Sequence, residues 1–174
     1  MRQLNHHEVP IIQRQYPLWI VCADWRDPLN VGAAFRLADA AGLAGLVLGD
    51  KTPHPPHPKI AKTARSTQDV VAWQANSSTK EYLQRKRNEG AFLLALEITT
   101  ESKSLFDFRF PADFVPTAAK PIYLITGNEA HGVAPSLLDI CHSSVHLPMH
   151  GRNTSMNVSV ALGAAVYLLL QHFQ

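Results

Sequence analysis

Apolar runs separated by polar turns recur along the chain at intervals that fit strands alternating with helices. Pro17-Leu-Trp-Ile-Val-Cys-Ala23 is continuously apolar with β-branched and aromatic members, which predicts a strand buried on both faces of a parallel sheet. Leu43 to Leu48, Ala91 to Ile98, Pro121 to Thr126 and Ser144 to Leu147 read as further strands, with Asp69 to Trp73 a shorter candidate. Asn30 can cap a helix running to about Ala41, and Gly42 can end it. The β-α-β unit so formed requires its two strands to be parallel. A charged helix is predicted from Ser78 to Glu89, opened by a Ser78/Glu81 capping box and stopped by Gly90. A short helix is predicted over Pro135 to Cys141. Thr99 to Lys120 has no clean period and reads as a connection crossing the sheet edge. The alternation indicates an α/β domain, mainly a parallel sheet with helices on both faces.

The last helix, Ser155 to about His172, is apolar on nearly every face and needs cover on two sides. The sheet can supply one side and a second copy of the chain the other, so a homodimer is expected.

Composition narrows this picture only a little. At 174 residues and 46% hydrophobic, the chain suits a single domain over 1–174, with 1–16 a short N-terminal extension. Sixteen basic against 14 acidic residues leave a formal charge of +2, which neither demands nor excludes a polyanionic partner. The two cysteines, Cys22 and Cys141, have no metal-ligand spacing, and a reducing, cytoplasmic setting fits. The N-terminus lacks the apolar core of a secretory signal, and the longest apolar run, Val160 to Leu170, is too short to span a bilayer. Thr52 to Pro58 carries four prolines in seven residues and must be a stiff loop. His54 and His57 within it have no third ligand nearby, so no metal is expected. Lys59, Lys62 and Arg65 follow at i, i+3, i+6, a basic face if helical, equally consistent with phosphate contact and with a solvated surface.

Three places could hold chemistry. In Asn30-Val-Gly-Ala-Ala-Phe-Arg36, Gly32 and Arg36 lie one turn apart, so the missing side chain leaves space beside the guanidinium for a ligand; Val31, Ala34, Phe35 and Ala38 form the packed face. Gly127-Asn-Glu-Ala-His-Gly132 directly follows a strand, where α/β proteins place ligand loops. It lacks the lysine and hydroxyl of a phosphate-binding P-loop. The third is His146 to Ala161, a strand end, a loop through Gly151, and Ser155 or Asn157 as the cap of the last helix. No Gly-x-Ser-x-Gly elbow surrounds Ser155.

In this order the three segments resemble the three motifs of the SpoU/TrmH family within the SPOUT superfamily of RNA methyltransferases, over essentially the whole chain. Asn30-x-Gly-x-x-x-Arg36 is similar to the first motif and Gly127-x-Glu-x-x-Gly132 to the second. Leu147-Pro-Met-x-Gly151 with Ser155 to Ala161 is similar to the third, with Met156 where many members have leucine. The resemblance implies a C-terminal deep trefoil knot, a homodimer, and methyl transfer from S-adenosylmethionine to a ribose 2′-hydroxyl, in tRNA more than rRNA. A catalytically idle RNA-binding member is the rival, and the motif set argues against base methylation. The resemblance further implies cofactor contacts at Leu96, Gly127, Leu147, Met149, Ser155 and Met156. It gives Arg36 the role of acting on the hydroxyl and nearby phosphate, with Asn30, Glu129, Ser155 and Asn157 holding it and the ligands. RNA recognition is then expected from the catalytic domain, from Arg36, Lys59, Lys62 and Arg65, from an N-terminal arm with Arg2 and Arg14, or from an accessory protein.

Overall fold

The computed structural model describes residues 1–10 and 12–173. Its elements are β1 (Tyr16–Ala23), α1 (Pro28–Ala40), β2 (Leu43–Gly49), α2 (Pro58–Ala64), β3 (Trp73–Asn76) and α3 (Thr79–Asn88). There follow β4 (Phe92–Leu96), β5 (Lys103–Ser104), β6 (Ile122–Thr126), α4 (Pro135–Leu138), β7 (Ser143–His146) and α5 (Val158–Leu170). Seven strands form one sheet in the order β3-β2-β1-β6-β4-β7-β5, and every neighbouring pair is parallel. The expected parallel α/β architecture is what the chain adopts.

Strand residues alternate between two cores, which is why the strands read as unbroken apolar runs. Leu18, Ile20 and Cys22 of β1, with Leu124 of β6, pack under α1, α2 and α5. Val21 and Ala23, with Tyr123 and Ile125, face α3 and the segment around α4. Among the described residues no helix is long and apolar enough to cross a membrane.

Several local expectations are corrected. Asp27, not Asn30, caps α1, its carboxylate accepting from Leu29 N at 2.9 Å, with Pro28 opening the first turn. Asn30 is thereby inside the helix, buried, with its amide free for other work. Asn157 alone caps α5, accepting from Ser159 N and Val160 N, and Ser155 stays in the preceding loop. The Ser78/Glu81 capping box does not form: the side chains of Asn76 and Asp50 accept from Ser78 N and Thr79 N instead. The third strand in sequence begins at Trp73, and Asp69 lies in a 3-10 turn before it. The basic face is also broken, because α2 stops at Ala64 and Arg65 turns left-handed at φ 56°. Lys59, Lys62 and Arg65 are exposed, but they do not share one helical stripe.

Gly32 does not make room for Arg36. A Cβ there would lie 2.0 Å from Thr63 Oγ1 and 2.4 Å from the Ile60 carbonyl, so this glycine is where α1 and α2 touch. Arg36 projects to the exposed side. Gly32→Ala should therefore cost about 2–3 kcal/mol of stability in urea denaturation. Adding Thr63→Ala should recover only part of that, since the Ile60 backbone remains; full recovery would show that the helices have slack.

Candidate active site at the carboxyl edge of the sheet

In a parallel sheet the loops after the strands converge at one edge, and a crevice opens where successive connections run in opposite directions. Here that point lies between β1, whose chain goes on to β2, and β6, whose chain goes on to β7. The loop after β6 closes on itself, Asn128 and Gly132 exchanging backbone hydrogen bonds of 3.0 and 2.8 Å. It needs glycine at both ends. A Cβ on Gly127 would meet the Gly132 carbonyl at 2.0 Å, and Gly132 itself sits at φ 68° against Glu97.

This loop is tied to the end of β1 by side chains. Asn128 Nδ2 donates to the Asp24 carbonyl at 2.8 Å. Glu129 accepts from Arg26 N (3.1 Å), Asp27 N (3.3 Å) and Asn30 Nδ2 (3.1 Å). Asn30 Oδ1 in turn accepts from Asn157 Nδ2 at 3.3 Å, so the start of α5 joins the same network. Partial burial pushes the Glu129 carboxyl up, but hydrogen bonds from its own backbone amide, Asn30, Arg26 and Asp27 outweigh it and hold the group below its ordinary value.

Beside this network lies an open cavity of about 630 Å³, walled by the loops after β4, β6 and β7 and by the start of α5. Its lining includes Leu96, Gly127, Leu147, Met149, Ser155 and Met156, together with Glu129 and Asn157. The volume falls within the range of about 300–1,000 Å³ common for small-molecule sites. Residues 149–156 make no main-chain hydrogen bond with another described residue, so their amides and carbonyls are available to a ligand.

Arg36 is not part of this assembly. Its side chain makes no hydrogen bond or ion pair with another described residue, and it lines a separate depression with Leu37, Lys62, Arg65 and Tyr167, between α1, α2 and α5. Within one chain Asn30, Glu129 and Asn157 bond to one another, and none of them, nor Ser155, bonds to Arg36. Lys59 lies outside both cavities. Of the arm cations, Arg2 pairs with Glu8 at 2.8 Å and Arg14 donates to the Phe173 carbonyl at 2.8 Å. Among the described residues no three His, Cys, Asp or Glu side chains converge as a metal site.

Sequence reasoning passed over Glu97. Its carboxylate accepts from Ile98 N at 2.9 Å and from Val133 N at 2.8 Å, pinning the end of the β6 loop to β4, and it lines the cavity. The signal was present: it is the one charged residue in the run Ala91 to Ile98.

A parallel α/β domain with its ligand cavity built from the C-terminal loops is the class that fold and site define. Residues 17–167 match the SpoU rRNA Methylase family, and the chain belongs to that family. It is 29% identical over 90% of its length to the mitochondrial rRNA methyltransferase 1 of Dictyostelium discoideum, spanning 29% of that protein. To the 23S rRNA (guanosine-2′-O-)-methyltransferase RlmB of Vibrio parahaemolyticus it is 26% identical over 95% of its length, spanning 64% of that protein. The chain thus spans less than two thirds of these relatives. An AdoMet-bound rRNA methyltransferase structure from Sinorhizobium meliloti superposes with TM-score 0.81 at 22% identity, covering 94% of this chain and 59% of the other. A structure concerned with 2-OH methylation of C/U34 on tRNA superposes with TM-score 0.76 at 25% identity, covering 90% and 95%.

Since the folded-state value of Glu129 lies below the unfolded one, its charge stabilises the fold above the ordinary glutamate pKa of about 4.3 and ceases to do so as pH falls through the lower value. Glu129→Gln should cost about 1 kcal/mol at neutral pH, the modest end because the group is largely solvated. In urea titrations that difference should narrow as pH falls below the ordinary glutamate range and through the lowered value; a difference that does not narrow with acid would mean the charge is not what ties the segments.

Proposed function

We propose that the chain is an S-adenosylmethionine-dependent RNA methyltransferase acting on a ribose 2′-hydroxyl, with tRNA as the favoured substrate. The observation that carries this reading is the convergence of all six anticipated cofactor positions on one cavity. That cavity has free backbone groups on one wall and two carboxylates, Glu97 and Glu129, but no lysine or arginine among the described residues that line it. Such a site suits a cofactor that carries a cationic sulfonium and polar ends. Bound there, S-adenosylmethionine supplies a methyl group already activated towards a nucleophile.

What the chain must add is alignment of the ribose oxygen and help with its proton. Ser155 and Asn157 line the cavity and offer a hydroxyl and a carboxamide to an entering ribose. A guanidinium stays charged, so Arg36 holds a substrate phosphate and stabilises negative charge developing on the oxygen, rather than serving as a free base.

Arg36 reaches such a substrate only if something brings it to a cavity. In α5, Leu162, Ala165, Val166 and Leu169 are buried, while Val160 and Tyr167 stay 60% and 54% exposed. A second copy covering that stripe completes the burial the helix needs, and it sets one subunit's α1 beside the other's α5. The homodimer is thus part of the reading, with Arg36 of one subunit serving the cavity of its partner. The deep trefoil knot belongs to it too. It is supported by a strand order in which the chain leaving β7 returns past β4 and β6 to pack α5 on α1. An rRNA substrate is the second reading, favoured by the names of the rRNA-modifying relatives.

Incubation with radiolabelled cofactor and bulk RNA from a strain lacking the protein should place label on a ribose of tRNA; label on rRNA selects the second reading, and label on a base would overturn both. RNA binding without transfer would indicate the idle alternative. Arg36→Ala should abolish transfer while leaving cofactor affinity nearly unchanged. Mixing it with a variant disabled in the cavity should restore part of the activity through mixed dimers, and no restoration would remove the shared site. Replacing Lys62 and Arg65 by alanine should lower the slope of log binding constant against log salt by about 1.5; an unchanged slope would return those residues to the solvated surface.

A further inference from the structure

We infer that Glu97 is the residue by which this cavity distinguishes a cationic sulfonium cofactor from its neutral thioether product; the inference rests on the cofactor reading above. The two ligands have nearly the same shape, so contacts of shape alone cannot separate them strongly, and a charge can.

Glu97 directly follows β4, between Leu96 and Ile98, with all three in the cavity wall. Both carboxylate oxygens are engaged, Oε1 by Ile98 N and Oε2 by Val133 N. Those donors are neutral amides, and two of about four acceptor positions remain open. Among the described residues Glu97 has no ion-pair partner: the salt bridges join Arg2 to Glu8, Arg26 to Asp24, and Arg85 and Lys86 to Glu89. Glu97 thus lines the cavity with a carboxylate that has no counter-ion among the described residues. Glu129, the other carboxylate there, also has no ion-pair partner among the described residues. It accepts three hydrogen bonds, from Arg26 N, Asp27 N and Asn30 Nδ2, against two for Glu97, so less of its acceptor capacity is open to a ligand. A cation entering the cavity supplies the missing partner for Glu97, in a setting less screened than open water.

The same residue pins Val133 and abuts Gly132, so it also positions the loop. That role predicts an equal effect on both ligands. Calorimetric titration of the protein with S-adenosylmethionine and with S-adenosylhomocysteine, without RNA, separates the two roles. Glu97→Gln should weaken S-adenosylmethionine by about tenfold more than S-adenosylhomocysteine, the scale of one charge acting across a partly solvated pocket. Glu97→Asp, which keeps the charge but shifts it, should weaken both while retaining most of the preference. Equal losses for the two ligands in Glu97→Gln, or no loss, would overturn the inference while leaving the cofactor reading intact. Failure of the unaltered protein to bind either ligand would overturn both.

Discussion

Glu129 joins three segments far apart in sequence: the turn after β1, the loop after β6 and, through Asn30, the start of α5. Backbone ladders cannot do this, because strand hydrogen bonds end where the strands end. The carboxyl edge of a parallel sheet is a row of loops, each free to move unless side chains tie them. One carboxylate accepting from two backbone amides and a carboxamide sets the distance between β1 and β6 loops, and everything in the cavity wall is positioned relative to it. The network uses neutral donors throughout, which leaves its formal negative charge beside the cavity.

Close approach is the second requirement. The β6 loop folds so tightly that Gly127 touches Gly132, and Gly132 touches Glu97. The loop is thus clamped from both sides, by Glu129 towards β1 and by Glu97 towards β4. The opposite wall is different in kind, since residues 149–156 form no main-chain hydrogen bonds of their own among the described residues. A clamped wall facing one whose backbone groups are open to solvent suits a ligand that takes hydrogen bonds from the second while being aligned by the first.

The strands were legible because burial on both faces leaves an unbroken apolar run, and the order of strands and helices followed. Helix starts were not. Asp27 and Asn30 are both competent caps, three residues apart, and only the preference of Pro28 for the first turn separates them. The misplacement mattered, because Asn30 read as a cap could not also be read as the bridge between Glu129 and Asn157. Gly32 was misread for a similar reason: a helical wheel shows which residues share a face, but not that α2 will press against that face at Thr63. Arg65 defeated the basic stripe because periodicity does not announce a left-handed residue. The cavity residues, by contrast, were found by resemblance to motifs, not by pattern, since loop geometry is set by contacts between segments that a linear reading never juxtaposes.

The separation of Arg36 from the cavity follows from the same helix. Within α1, Asn30 faces inward to the network and Arg36 outward to solvent, so one helix cannot offer both residues to one ligand in one chain. Shifting Arg36 inward would place a guanidinium among Val31, Ala34, Phe35 and Ala38, all buried, where an unpaired charge costs several kcal/mol. The chain therefore keeps the Arg36 guanidinium on its surface and a packed helix beneath it. On the reading proposed above, such a group acts only at an interface. The uncovered stripe of α5, with Tyr167 in the same depression as Arg36, supplies an apolar surface at the place where that interface is needed. On that reading, the burial of α5 and the use of Arg36 make the same demand on a second subunit.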